Sequence, residues 1–231
     1  MTPAVKWIIG ANVALFVACA VFPMLTVYLG LIPEAVVERG WIWQPATYMF
    51  LHAGIAHILF NMLGIWMFGV ELERRWGTAY FVKYYAVTGV GAAVTTIVVS
   101  LLPFAATSAA YGSNTIGASG ALYGLLLAYA IYYPERPILM FMIFPVPAKY
   151  FVMILGAISF MLSASGGGPG VAHVAHLGGL LFGYLYLKGG GGGITAEIKY
   201  RYVKWKMNRL RRKFDVYTGG GGRSDWDRKV H

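Results

Sequence analysis

The sequence is poor in charge. Only 12% of its 231 residues are Asp, Glu, Lys or Arg. An average soluble domain carries about 25%, so this chain has too few charges to coat a surface facing water. With 58% of residues apolar or aromatic and a mean hydropathy of +0.61, the composition is that of an integral membrane protein. Acidic residues are the scarcer sign, nine against nineteen basic ones. The net +10 is nevertheless not the signature of a nucleic-acid surface, because it is unevenly placed. Residues 1–187 hold seven Lys/Arg and five Asp/Glu, whereas residues 188–231 hold twelve and four. Cysteine is almost absent: Cys19, inside an apolar run, excludes an intrachain disulfide framework. A small-residue cleavage site is also lacking after the first apolar stretch, about residues 7–29. That stretch, preceded by Lys6, reads as a retained span and not as a removed signal peptide.

Long apolar runs are what the chain has in abundance. A helix needs about 20 mostly apolar residues to cross a hydrocarbon core of ~30 Å. Six candidates lie at about 6–28, 56–72, 78–101, 119–133, 148–164 and 171–187. With both termini inside, Lys6, Arg74, Arg75, Lys83, Arg136, Lys149 and all twelve tail cations share one side, and Arg39 alone is outside. The fold class expected is an all-α polytopic membrane protein, a six-transmembrane-helix bundle. Its least regular part precedes the fifth span, where ILMFMIF (138–144) meets Pro145 and Pro147, as in an interfacial or broken helix. The first outside loop, 29–55, carries Trp41, Trp43 and Tyr48, side chains that favour the membrane interface, and is expected to dip into the bilayer. The domain plan is a membrane core over 1–188, a glycine linker at 189–193 and a basic tail over 194–231.

Polar groups inside spans are costly and mark candidate sites. His57 and Asn61 are four residues apart, hence on one helical face. Ser119 opens the fourth span within GASGALYG (117–124), with Tyr123 one turn below, and His176 lies early in the sixth. Spans two, four and six run in the same direction, so these groups share a depth in the outer half of the membrane. The fourth span is only fifteen residues, about 22 Å at ~1.5 Å per residue. Ser119 therefore starts below the outer surface, reached through the uncharged loop TSAAYGSNTIGA (107–118). Irregular backbone at that depth must be buried in protein or line a wet cavity.

The chemistry these residues permit is nucleophilic. A serine hydroxyl needs a base, and His176 is the better candidate of the two imidazoles. Gly117 and Gly120 flank Ser119 as close-approach glycines, and the amides of a helix start point where an oxyanion would form. His57 and Asn61 are candidates for further donors. No Asp or Glu lies near, so Tyr123 packing against the imidazole would make the site a dyad. Competing readings remain. G-x-S-G and the pair Gly179 and Gly183 also suit close helix packing. His52, His57, His173 and His176 raise a metal site, against which stand the missing HExxH pair and carboxylate base. A channel or transporter lacks its charged path and its internal repeat.

Four segments, HILFNMLGIWMFG (57–69), ELERRWGT (71–78), GASGALYG (117–124) and AHVAHLGGLLFG (172–183), together resemble the rhomboid family of intramembrane serine proteases. The resemblance covers about residues 5–187. It implies a six-helix core with Ser119 as nucleophile, His176 as general base and Tyr123 packed on it. It further implies an oxyanion hole from His57, Asn61 and the Ser119 amide, and a structural role for Glu73 and Arg75. No metal or other cofactor is implied. The family's common Trp-Arg pair in the first loop is absent, and Trp43-Gln44 stands near that place. The implied substrates are transmembrane proteins, cut with a small residue before the bond, in a bacterial-type inner membrane with the site facing outward. A fold that binds membrane helices without cutting them is the alternative. The tail segment 194–214, with eight Lys/Arg and one acidic residue, is expected to lie against anionic lipid headgroups, not nucleic acid.

Overall fold

Long uncharged runs rich in Ala, Val, Ile and Leu satisfy their backbone groups in a membrane within one segment as helices, and helices dominate the computed structural model. It describes residues 1–103, 110–140, 143–164, 170–190 and 206–207. The chain divides into two compact units, Met1–Leu187 and Lys188–His231. Most of the second unit, including residues 191–193 of the glycine linker and nearly all of the basic tail, lies outside the described residues.

In the first unit α1 (Pro3–Val21) starts on a proline, whose missing N–H is no loss in a first turn. It stops before Pro23, and the remainder of the expected first span is a separate α2 (Met24–Leu29). The first loop folds as α3 (Pro33–Arg39), α4 (Gln44–Thr47) and a 3-10 turn, Tyr48–Phe50. Next, α5 (Ile55–Gly64), a π-helical turn at Ile65–Gly69 and α6 (Val70–Trp76) make one continuous rod. Gly77 turns the chain into α7 (Thr78–Ser100). Then come α8 (Ser119–Tyr132), a hairpin of β1 (Pro137–Met140) and β2 (Phe144–Pro147), α9 (Ala148–Ala164) and α10 (Gly170–Leu185).

Among the described residues three helices are long and apolar enough to cross a membrane: Pro3–Val21, Ile55–Trp76 and Thr78–Ser100. Ser119–Tyr132 and Ala148–Ala164 are shorter apolar helices. The hairpin corrects the all-helical expectation. The described parts of segment 138–144 form neither an interfacial nor a broken helix. Pro137 pairs with Pro147 and Leu139 with Pro145 in a two-stranded ribbon, where every strand is an edge that tolerates a proline.

Two contacts set the frame. Ala4 and Val5 donate their backbone N–H groups to the two carboxylate oxygens of Glu73, at 2.9 and 3.1 Å, and the Thr78 hydroxyl donates to the same carboxylate at 2.7 Å. A negative charge thus caps the first turn of α1 and ties it to the junction of α6 and α7. The second contact is backbone to backbone: a Cβ on Gly179 of α10 would overlap the Gly120 carbonyl of α8. Gly178 lies close against Thr95, and Gly183 against Tyr84 and Gly124, both less tightly than Gly179. Small residues here let α7, α8 and α10 approach more closely than side chains allow.

Gly179→Ala should therefore lower stability by about 1–3 kcal/mol, the usual cost of overpacking. Gly10→Ala, which meets open space, should cost nothing. Thermal unfolding of the two variants in the same detergent checks the contrast.

Candidate active site

Ser119 is the first residue of α8, following Ala118 as cap. The backbone leading into it is held on several sides. Leu31 and Thr115 exchange a pair of backbone hydrogen bonds at 2.9 and 2.8 Å, and Asn114 Nδ2 donates to the Thr26 carbonyl at 2.9 Å. The Gly117 N–H donates to the carbonyl of the buried Tyr48 at 3.0 Å, while the Tyr48 hydroxyl donates to the Gly89 carbonyl at 2.8 Å. Gly117 has φ 130°, a conformation that side-chain-bearing residues rarely adopt. A Cβ there would lie 2.7 Å from His57 Nε2, so the imidazole faces the backbone just before Ser119.

The long pair meets across two helices. His176 Nε2 on α10 lies 2.7 Å from Ser119 Oγ on α8. The Tyr123 ring stacks on the His176 ring with centroids 4.2 Å apart and planes within 7°. His176 Nδ1 is buried and has no hydrogen-bond partner among the described residues, so the imidazole plane is fixed by ring contact and not by a carboxylate. His173, a turn earlier, is edge-on at 5.8 Å. The Tyr123 hydroxyl in turn accepts a hydrogen bond from Ser159 on α9 at 3.2 Å, and Ser159 is only 1% exposed.

On α5 the Ala53 N–H donates to His57 Nδ1 at 3.4 Å, which assigns the proton of a neutral imidazole to Nε2, the atom that faces Gly117. Asn61, buried one turn farther along, donates from Nδ2 to the His57 carbonyl at 2.9 Å. That bond uses one of its two amide hydrogens. His52 packs edge-on to His57 at 4.8 Å. Burial, and secondarily the His57 ring, push His52 down to about 4, so it is neutral at ordinary pH.

Gly120 differs from expectation. A Cβ there would meet Ala92 at 2.7 Å and the Tyr48 hydroxyl at 2.9 Å, so it faces inward and serves packing, while Gly117 alone borders the imidazoles. Among the described residues no three His, Cys, Asp or Glu side chains are grouped so as to hold a metal ion. Two contributors escaped the sequence reading. Ser159 is one of two serines, with Ser163 a turn later, in an otherwise largely apolar helix, and no motif sets it apart. Gln44, fully buried, accepts from the Ile32 N–H at 2.9 Å and donates to the carbonyls of Val27 and Tyr28, knitting the first loop together. Only its position beside Trp43 hinted at that.

A family model described as "Rhomboid domain" matches residues 39–190. The putative rhomboid protease YdcA of Bacillus subtilis (strain 168) is 32% identical over 149 residues, 64% of this chain and 67% of that protein. RHOMBOID-like protein 1 of Arabidopsis thaliana is 32% identical over 158 residues, 65% of this chain and 35% of its own. The rhomboid protease GluP of Bacillus subtilis (strain 168) is 28% identical over 153 residues, 65% of this chain and 26% of its own. The chain thus spans about two thirds of the first relative and about a third or less of the other two.

The Ser159–Tyr123 bond is open to a double-mutant cycle. Tyr123→Phe leaves a buried serine hydroxyl without its partner and should cost about 1–3 kcal/mol. Adding Ser159→Ala should recover most of that loss. Unfolding free energies of the four proteins check it; strictly additive losses would contradict the bond.

Proposed function

This chain belongs to the rhomboid family, and from that premise we propose that it is an intramembrane serine endopeptidase working by a Ser119–His176 dyad. It is an integral membrane protein, and its proposed substrates are other membrane proteins, cut in or near their transmembrane helices. The observation that carries this reading is the 2.7 Å approach of His176 Nε2 to Ser119 Oγ, in a ring orientation backed by Tyr123.

In the proposed reaction His176 Nε2 takes the Ser119 proton as Oγ bonds to the scissile carbonyl carbon, and the carbonyl π pair moves onto oxygen. The Ser119 amide and the Nε2–H of His57 receive that charge, with the remaining Asn61 amide hydrogen as a third donor. Preorganised donors of this kind are worth ~2.7–4 kcal/mol each where they have been removed singly. The tetrahedral intermediate collapses, the C–N bond breaks, and the leaving nitrogen takes the proton from His176. Water, deprotonated by the same imidazole, adds to the acyl carbon, and the Oγ–acyl bond breaks as Ser119 Oγ takes that proton back from His176. A substrate helix hides its carbonyls in hydrogen bonds, so residues that favour unwinding near the cut, with a small residue before it, ease the attack.

The proposed topology has six spans, with both termini in the cytoplasm and the site toward the outer face of a bacterial inner membrane. The distribution of Lys and Arg supports it. The first loop, with Tyr28, Trp41 and Trp43 clustered at 5.0–5.8 Å, is proposed to dip into the interface. The core is proposed to end at residue 188 and the glycine linker at 193. The tail then lies on anionic headgroups.

Ser119→Ala and His176→Ala should each lower cleavage of a reconstituted model transmembrane substrate by ~10³-fold or more. A fluorophosphonate should label Ser119 in the unsubstituted protein. Equal cleavage by Ser119→Ala would reject the dyad, and failure to label or to cleave would leave a fold that binds helices without cutting them. Removal of residues 194–231 should leave cleavage intact and weaken sedimentation with anionic vesicles; unchanged sedimentation would reject the assignment of the tail.

A further inference from the structure

At the opposite end of the α5–α6 rod from His57 lies a cavity of about 600 Å³ that the proposed chemistry does not use. Trp66 and Met67 of the π-helical turn and Leu139 of β1 form apolar walls, Tyr129 of α8 forms the back, and Glu71 and Arg74 stand at its polar end. The volume is in the ~300–1,000 Å³ range of ligand sites.

Its charges are not balanced. Glu71 is paired with Arg136, which also donates to the Tyr129 hydroxyl at 3.3 Å. Arg75, next in sequence, lies over the Tyr132 ring at 4.4 Å. Arg74 has no hydrogen-bond, ionic or aromatic partner among the described residues, and it is exposed. The one carboxylate at the polar end is therefore already engaged by Arg136 from outside the lining, and the Arg74 guanidinium is left unbalanced.

The apolar walls are open sideways: Trp66 is 48% exposed, Met67 44% and Leu139 55%. Trp66 and Met67 belong to a rod long and apolar enough to cross the membrane, so this side faces hydrocarbon. A water-soluble anion would satisfy Arg74 and leave the walls unused; a neutral hydrophobe would do the reverse. We propose that this cavity is a site for one anionic phospholipid, its phosphate at Arg74 and an acyl chain along Trp66, Met67 and Leu139. The Glu71–Arg136 pair keeps the carboxylate from repelling the phosphate and draws the hairpin into the site. In the topology proposed above this is the inner leaflet. The inference rests on the chain being an integral membrane protein and not on its being a protease.

The test is native mass spectrometry of the whole chain released from nanodiscs of phosphatidylglycerol or of phosphatidylcholine. One phosphatidylglycerol should stay bound, retained about fivefold or more over phosphatidylcholine. Arg74→Gln should cut the number of phosphatidylglycerol molecules retained by one, leaving any held by the basic tail, and Arg74→Lys should keep most of the site's occupancy, with thermal unfolding of each variant showing that the fold is retained. Equal retention of the two lipids by the unsubstituted protein would overturn the proposal whatever the variants do. So would an undiminished number retained by Arg74→Gln. Displacement of the lipid by glycerol phosphate at matched concentration would also overturn it, because the chain contact would then contribute nothing.

Discussion

The separation of α8 and α10 governs the rest of this structure. Ser119 and His176 are 57 residues apart in sequence and belong to different helices, so no local preference of the chain sets their distance. It is set within three residues of each, where Gly120 lies under α7 with the Ala175 carbonyl close by, and Gly179 rests on the Gly120 carbonyl. Side chains are missing at this crossing because the backbones themselves are in contact. Since packed helices have few alternative spacings, a gap here would be carried directly to the hydroxyl and the imidazole.

The surroundings explain how the imidazole is held. In water-rich sites a carboxylate orients the histidine of such a pair, but an ionised group at membrane depth is costly to bury. The parallel stack of Tyr123 fixes the same ring plane without charge. It is fixed in turn by Ser159 from α9, so three helices contribute to one imidazole orientation. The entry to Ser119 follows the same economy of charge. Backbone bonds from Leu31 and Tyr48 and a single amide side chain, Asn114, hold it in place.

Much of this was legible in the sequence, for a definite reason. In spans that are otherwise apolar, a polar residue is conspicuous, and His57, Ser119, Tyr123 and His176 stand out on that background alone. The later apolar runs likewise mark the α5–α6 rod, α7, α8, α9 and α10 to within a few residues, because hydrocarbon leaves the backbone little choice. The first run, by contrast, is split at Pro23, and the short α3 and α4 carry no such run. What escaped lacks such contrast. ILMFMIF is uniformly apolar, so periodicity cannot separate strand from helix, and only the pairing of Pro137 with Pro147 decides it. The inward face of Gly120 depends on which neighbour comes close, which no spacing reveals. Gln44 works through carbonyls of the preceding loop, partners that leave no trace in sequence.

The carboxylate cap on α1 has a consequence for how that helix is constrained. Of its nineteen residues only Ala4, Val5 and Asn12 are buried, and two of these are the residues bound to Glu73 or beside its contact. Helix α1 is thus anchored at its foot and exposed or half-exposed along most of its length. Beyond that turn Ile8, Ile9 and Phe16 are half-buried against the core and Asn12 is fully buried, so the constraint there is lighter but not absent. Changes along the exposed face of α1 should accordingly disturb the molecule less than changes at Ala4, Val5 or Glu73, where the helix is held.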